Sequence, residues 1–350
     1  MILTIIGARP QFIKAAALSK AMKIAGLEER IIHTGQHYDY KMSEVFFEEL
    51  AIPGVALNLE IGSGNHGEQT GKMLIEIEKY VLQNNDRIDS ILVYGDTNST
   101  LAGALVGAKL HIPVIHVEAG LRSFNRQMPE EVNRIMTDHL SDVLFCSSLE
   151  GEEQLTKEGI TKNVNVVGDV MQDALYSFMP SAKKPDGLPV DFFTKSFGLL
   201  TIHRPSNTDD IANLQQIMDG IKRCHIPFVW PIHPRNRKNL EVIEIPDNLR
   251  IVDPLSYFEM LFTLSNCSWV ITDSGGLQKE AYWLKKPCIT VRPQTEWVET
   301  LHNNWNQLCD ANAEHIELAF NTTPNPESWI ALYGKGDACK NIVEVLKDKK

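Results

Sequence analysis

Metal-ligand spacings are missing from this chain. Its six cysteines (Cys146, Cys224, Cys267, Cys288, Cys309 and Cys339) stand singly, several inside apolar runs, with no C-x-x-C and no Cys/His spacing. That excludes a structural zinc site and leaves reduced thiols, so the expected setting is the cytoplasm. Phosphate-loop signatures are missing too. The first βα turn, GARPQF, lacks G-x-G-x-x-G, and no G-x-x-x-x-G-K-[ST] occurs, which argues against a nicotinamide cofactor and against an NTPase. Basic residues are outnumbered, 34 Lys and Arg against 45 Asp and Glu, for a net charge of -11. Nucleic acid is therefore an unexpected partner, because phosphate binding needs clustered cations, although local arginines leave room for an anionic small molecule. No apolar run approaches a membrane span, and the opening MILTIIG, short and without a basic n-region, reads as a first strand rather than a signal peptide.

What is present fits a globular protein of two domains. The 350 residues are 43% hydrophobic and 23% charged, too many for one ordinary core. Short β-rich runs alternate with helical stretches, the βαβ pattern of doubly wound sheets. Strands are expected at 2–6, 29–34, 91–94, 112–115, 143–146 and 164–167, and six of them suffice to close a first domain. SAKKPDGL between Pro180 and Pro189 is the one convincing linker composition. Further strands are expected at 197–202, 228–232, 249–252, 269–272 and 288–291. The boundaries expected are 1–175 for the first domain, with a helix at about 337–350 packing back on it, and 176–336 for the second. A helix is also expected over 42–50.

Polar clusters follow the strand ends in both halves, where open α/β sheets bind ligands. The densest runs from His116 to Arg134, HVEAGLRSFNRQMPEEVNR, directly after an apolar run. It holds Glu118, Glu130 and Glu131 with Arg122, Arg126 and Arg134, and its small residues let the backbone approach a ligand. Asp96 ends another strand. As an N-cap it would be ordinary, but Thr97 and Ser99 serve that duty equally well. The helix start at Arg9, with Lys14 one turn on, reads equally as an anion site or as a plain βα turn. In the second half, Ser274-Gly275-Gly276 before a helix leaves N–H groups open at a positive helix end, suited to a diphosphate. Glu280 is spaced to accept from ribose hydroxyls. His203 and His233 each end a strand; one such histidine is ordinarily a satisfied hydrogen bonder. Opposite Asp96, Glu118 and Glu130 across a cleft, the pair would supply acid, base and phosphate contacts. Crowded carboxylates raise one another's pKa, so one would hold a proton while its neighbour takes one.

GARPQFIK, VYGDTNSTLAGAL, HVEAGLRSFN, MPEEVNR, TIHRPSN, PIHP and TDSGGLQKEA, in this order and spacing, resemble the non-hydrolysing UDP-N-acetylglucosamine 2-epimerases over essentially the whole chain. The resemblance implies the GT-B architecture, two Rossmann-like doubly wound parallel-sheet domains facing across a cleft, in a homodimer. It implies elimination of UDP to a 2-acetamidoglycal and re-addition with C2 inverted, with no cofactor and no metal. By motif it implies Asp96, Glu118, Glu130 and His203 as the acid/base group. Arg9, Lys14, Gln36, His37, Arg122, His233, Ser274, Gly275, Gly276, Glu280, Arg292 and Glu296 would contact the UDP-sugar.

The chain departs from the branch of that family with a second, regulatory substrate site. An arginine there directly follows His-Arg, where this chain has Pro205, and another stands where this chain has IGSGNHG. With LRSFN, QTEWVE and the longer GQHYDYKMSEVF, the chain resembles the bacterial branch acting on UDP-2,3-diacetamido-2,3-dideoxyglucuronate for O-antigen synthesis. Arg122 and Arg126 would then recognise the substrate carboxylate. A GT-B glycosyltransferase, a hydrolysing 2-epimerase and a non-catalytic UDP-sugar sensor are the competing readings. The glycosyltransferase needs an acceptor and no carbon-acid chemistry, the hydrolase would release UDP, and the sensor would leave C2 protons unexchanged.

Overall fold

A computed structural model describes residues 1–36, 52, 55–84 and 87–348. Two compact units divide the chain, Met1–Ser177 with Tyr333–Lys350, and Phe178–Leu332. The helix expected over 42–50 and the expected binding residue His37 lie outside the described residues.

Unit 1 is a seven-stranded sheet in the order β3-β2-β1-β4-β5-β6-β7. Its strands are β1 (Ile2–Ile6), β2 (Glu29–His33), β3 (Val55–Asn58), β4 (Ser90–Tyr94), β5 (Val114–Ala119), β6 (Val143–Cys146) and β7 (Val164–Val166), and every pairing is parallel. The connecting helices are α1 (Arg9–Ile24), α2 (His66–Asn84), α3 (Asn98–Lys109), α4 (Pro129–Leu140), α5 (Leu149–Lys157) and α6 (Val170–Phe178). β1, β4 and β6 are buried at every position, as parallel strands covered on both faces must be.

Six strands had been expected in this half, and the seventh is β3. It is an edge strand whose four residues, VALN, are exposed or half-buried, so it carries no apolar run to reveal it. The strand expected at 112–115 also runs further than its apolar run suggests, through His116, which is fully buried, to Ala119.

Unit 2 repeats the plan with six parallel strands ordered β10-β9-β8-β11-β12-β13. They are β8 (Gly198–Thr201), β9 (Phe228–Pro231), β10 (Leu249–Val252), β11 (Trp269–Thr272), β12 (Cys288–Val291) and β13 (Asn306–Cys309). Its helices are α7 (Pro205–Thr208), α8 (Ile211–Arg223), α9 (Tyr257–Asn266), α10 (Gly275–Trp283) and α11 (Ala313–Phe320). β13 was not expected either, since NQLC reads as polar. Asn306 is nonetheless buried, held by Thr290 at 2.7 Å, Gln278 at 3.0 Å and Thr300 at 3.0 Å. A buried amide with three partners loses little by leaving water.

The last helix, α12 (Ala338–Asp348), belongs to unit 1. Its first N–H groups donate to Asp173, from Ala338 at 3.2 Å and Cys339 at 2.8 Å, and Asn341 Nδ2 reaches Val167 O at 3.0 Å. Both sheets are doubly wound, the α/β two-sheet plan expected of the GT-B class. In each, strand order reverses beside the first strand, between β1 and β4 and between β8 and β11, which is where such sheets bind ligands.

Candidate active site

At the first reversal Gln11 ties the two strand ends together. Its Oε1 accepts from Gly7 N at 2.8 Å and Ala8 N at 3.0 Å, while Nε2 donates to Tyr94 O at 2.8 Å and Thr100 Oγ1 at 3.0 Å. Gln36, expected at the substrate, accepts from Ser99 N at 3.1 Å and from Ser99 Oγ at 2.6 Å, so it holds the start of α3. Arg9 opens α1, half-buried, and Lys14 is turned to Glu118.

Glu118 is the bulged residue of β5. The β5–β6 register shifts between Val117 and Ala119, and Glu118 has φ +77. A non-glycine residue in the left-handed region is strained, and such strain is retained where a side chain must be re-aimed. Here the bulge turns the carboxylate to Lys14, an ion pair with both side chains nearly buried. Gly95 lies against this pair: a Cβ there would stand 3.5 Å from Glu118 Oε2 and 3.8 Å from Lys14 Nζ.

Asp96 has its own cation, Arg134, which also binds Glu131 at 3.0 Å. Asn133 Nδ2 donates to Asp96 O at 2.9 Å. Glu131 is buried and accepts from Ser123 N and Phe124 N, each at 2.8 Å, which pins the loop ahead of α4. Glu130 is in the first turn of α4 and exposed. The carboxylates were expected to perturb one another. The structure pairs two of them with separate cations instead, Glu118 with Lys14 and Asp96 with Arg134.

Arg122 departs from its expected place at the substrate. Its side chain is buried, with Nε and Nη2 on Glu158 at 2.8 and 2.7 Å, and Nη1 on Asp138 at 2.7 Å and Leu121 O at 2.6 Å. Four of five guanidinium donors are thus taken up within the chain, which leaves a substrate carboxylate no fork to bind. Desolvation opposes its charge, but Glu158 and Asp138 more than compensate and hold its pKa above the ordinary value. Asp138 also bonds His116 Nδ1 at 2.8 Å, and His116 Nε2 meets Gly95 O at 2.8 Å. Arg122 is therefore part of a buried chain that ends on the Gly95 turn.

In unit 2 the corresponding rim is built around Asp273, which follows β11 and is fully buried. It accepts from His203 N (3.1 Å to each oxygen), Arg204 N (2.9 Å) and Asn207 Nδ2 (3.1 Å), and faces His203 Nδ1 at 3.0 Å. Burial alone would raise its pKa, but His203 and the N–H donors hold it below the usual aspartate value. Sequence reasoning singled out His203 and passed over Asp273, Asn207 and Gln11. The signal for Asp273 was an acid directly before Ser-Gly-Gly, overshadowed by the turn it precedes.

That turn opens α10. Ser274 Oγ accepts from Leu277 N at 3.4 Å, and a Cβ on Gly275 would lie 2.6 Å from Glu296 Oε1 and 3.7 Å from Arg292 Nη1. Gly276 faces open space. Arg292 and Glu296 pair at 2.9 Å; burial would raise the glutamate, and Arg292 with Arg204 keeps it below the ordinary value. Among the described residues, the buried Arg292 Nη1 has no hydrogen-bond partner. A buried guanidinium with an unused donor, beside open helix N–H groups, suits an anion. Glu280 is buried in α10, and His233 is exposed after β9. A cavity of about 440 Å³ lies beyond the end of β10, lined by Gly187, Arg237 and Val252–Leu255 among others and by none of the site residues above.

Among the described residues no His, Cys, Asp and Glu group is arranged to hold a metal, and no helix is long and apolar enough to cross a membrane.

The family described as UDP-N-acetylglucosamine 2-epimerase matches residues 20–347. A Pseudomonas aeruginosa protein named UDP-2,3-diacetamido-2,3-dideoxy-D-glucuronate 2-epimerase is 47% identical over 355 residues, 99% of each chain. A Methanococcus maripaludis protein named UDP-N-acetylglucosamine 2-epimerase homolog is also 47% identical, over 357 residues and 99% of each chain. The crystal structure of Methanocaldococcus jannaschii UDP-GlcNAc 2-epimerase with UDP-GlcNAc and UDP superposes with TM-score 0.88 at 41% identity, over 99% of this chain and 100% of that one.

Proposed function

The chain belongs to the UDP-N-acetylglucosamine 2-epimerase family, and from that membership we propose that it inverts C2 of a UDP-linked 2-acetamido-2-deoxy sugar without net hydrolysis. The observation that carries the reading is the division of chemistry between the rims. One presents carboxylates beside lysine and arginine; the other presents a helix start, an arginine with an unused donor and a histidine on a buried aspartate.

In this reading the diphosphate lies on Ser274, Gly275 and Gly276 with Arg292, and Glu280 takes the ribose. Asp96, Glu118, Glu130 and His203 form the acid/base group. A base removes the C2 proton while the C1–O bond breaks, its electron pair leaving on the diphosphate oxygen. Re-addition of that oxygen to C1, with a proton delivered to C2 from the opposite face, gives the inverted sugar. Expulsion of UDP makes the otherwise weak C2 acid reactive, so no nicotinamide is needed.

The finer substrate we propose is the 2,3-diacetamido-glucuronic acid, made for bacterial surface polysaccharide. Pro205 directly after His203-Arg204, and the identity to the Pseudomonas aeruginosa protein, support it. With Arg122 bound to its own chain, Arg126, exposed on the loop before α4, is the remaining arginine for the sugar carboxylate. We also propose a homodimer. Helices α2 and α4, which both pack against α3, expose Ile75 and Leu82, and Val132 and Met136. An apolar surface on helices that otherwise cover a sheet fits a second copy, and sedimentation of a lone 39.4 kDa species would refute that.

The test is incubation with each UDP-sugar in deuterated water, following the anomeric and H2 signals by NMR. Deuterium is expected at C2 together with the manno product. Its absence with every UDP-2-acetamido sugar refutes the epimerase, free UDP accumulating with turnover identifies a hydrolase, and faster exchange of UDP-GlcNAc than of the diacetamido uronate overturns the finer substrate.

A further inference from the structure

We propose that Asp273 is a positioning residue that fixes His203 in the Nδ1–H tautomer and so reserves Nε2 for proton exchange with the substrate. The inference rests on the reading of His203 as an acid/base group and adds what makes that histidine competent.

The geometry leaves the aspartate one role. Asp273 is fully buried, and its oxygens face donors on every side: His203 N, Arg204 N, Asn207 Nδ2 and the His203 ring. An ionised carboxylate can only accept, so the nitrogen facing it at 3.0 Å carries the hydrogen. The neutral ring then has its lone pair on Nε2. Half of the His203 side chain is exposed, 51% against 0% for Asp273. With Nδ1 turned to the buried partner, the exposed edge is the one bearing Nε2.

The carboxylate is itself immobilised. Arg204 Nε donates to Asp273 O at 2.9 Å, and Asn207 Nδ2 reaches across to Val291 O at 3.0 Å. The backbone N–H groups of His203 and Arg204 bond to the same carboxylate that holds the ring, so main chain and imidazole are oriented together. A third group that sets tautomer and direction is a recurrent requirement of histidine acid/base chemistry. For histidines that ligate a metal, losing such an outer partner costs about 10–100-fold, and an effect of that order is expected here.

The ring is observed directly. In two-bond ¹H–¹⁵N correlation spectra of the full chain, with His203 assigned by its loss in His203→Gln, the Nδ1–H pattern is expected. An Nε2–H pattern overturns the proposal without any change at Asp273. In Asp273→Asn, whose amide can donate to Nδ1 and so favour the other tautomer, the pattern is expected to invert and C2 deuterium exchange to fall roughly 10–100-fold. The same substitution in a His203→Gln background is expected to cost less than about twofold, because residues acting as a unit are not additive. An equal further loss there assigns Asp273 a purely structural role and refutes the proposal. If Asp273→Asn fails to fold, the wild-type spectrum decides alone. Failure of the wild type to exchange C2 with any UDP-sugar would sink the epimerase reading, and the tautomer, seen without substrate, would still answer separately.

Discussion

The two sheets share one winding and solve the same placement problem with opposite charges. On the unit 1 rim the candidate proton-transfer groups are acids, and two of the three rest on a cation: Glu118 on Lys14, Asp96 on Arg134. On the unit 2 rim the candidate is a histidine, and it rests on a buried acid, Asp273. Backbone geometry differs in the same sense. Unit 1 aims Glu118 with a strained, bulged residue at the end of β5, whereas unit 2 clears space with Gly275 at a helix start. A group that changes charge during a reaction needs a partner of opposite sign already in place, since a fixed countercharge requires no rearrangement when charge develops. The rim proposed for carbon-acid chemistry therefore uses strain for direction, and the rim proposed to hold an anion uses space.

The comparison breaks most sharply at Glu118. Glu118→Gln keeps shape and removes a proposed acid/base group, so C2 deuterium exchange is expected to fall about 10²–10⁴-fold, and Lys14→Met is expected to fall in the same range. UDP binding by calorimetry should stay near wild type in both. Wild-type exchange in Glu118→Gln would remove it from the mechanism. On the other rim, Gly275→Ala drives a methyl into the Glu296 carboxylate, so that carboxylate or the helix start must move. UDP affinity is expected to weaken roughly tenfold, about 1.4 kcal/mol, with far-UV dichroism unchanged. Unaltered affinity would place the diphosphate elsewhere.

Much of this was legible in the sequence, for a physical reason. Central parallel strands are covered on both faces, so β1, β4, β6 and β12 read as largely apolar runs, and the polar residues that end them mark the rim. The edge strands β3 and β13 escaped because half-solvated positions and satisfied amides carry no such run. Chemistry was legible by residue type, partnership only partly. Glu131 and Arg134 at the start of α4 were foreseeable as packing partners, since Glu131 holds the loop and Arg134 bonds it one turn on. Arg122 was not, because its partners Asp138 and Glu158 are 16 and 36 residues away. Charge density in a loop reports that charges need partners; whether the partner is a ligand or the chain itself depends on tertiary contacts.

The acid response separates the units. Burial pushes His33, at the end of β2, down to about 4, against a weaker opposing bond from Asn58. Its folded pKa is below the ordinary 6.5, so the unfolded chain takes the proton first. The stability His33 contributes is whole above pH 6.5 and is lost as pH falls toward 4. The full loss is on the order of 3 kcal/mol. Asp273 and Glu296 in unit 2 are carboxylates held below their ordinary values of 3.8 and 4.5, so their contribution is whole above that range and lost only beneath it. Glu29 and Asp173, raised by burial in unit 1, run the other way, gaining stability as pH falls through their raised values. They are common to wild type and His33→Gln, so the difference between the two proteins isolates His33. In urea unfolding followed by hydrogen exchange, wild type should lose more stability than His33→Gln between pH 7 and pH 5. That excess should appear in β1 and β2, while β8 and β11 respond alike in both proteins. An excess of equal size in β8 and β11 would mean that the two sheets do not respond to acid separately.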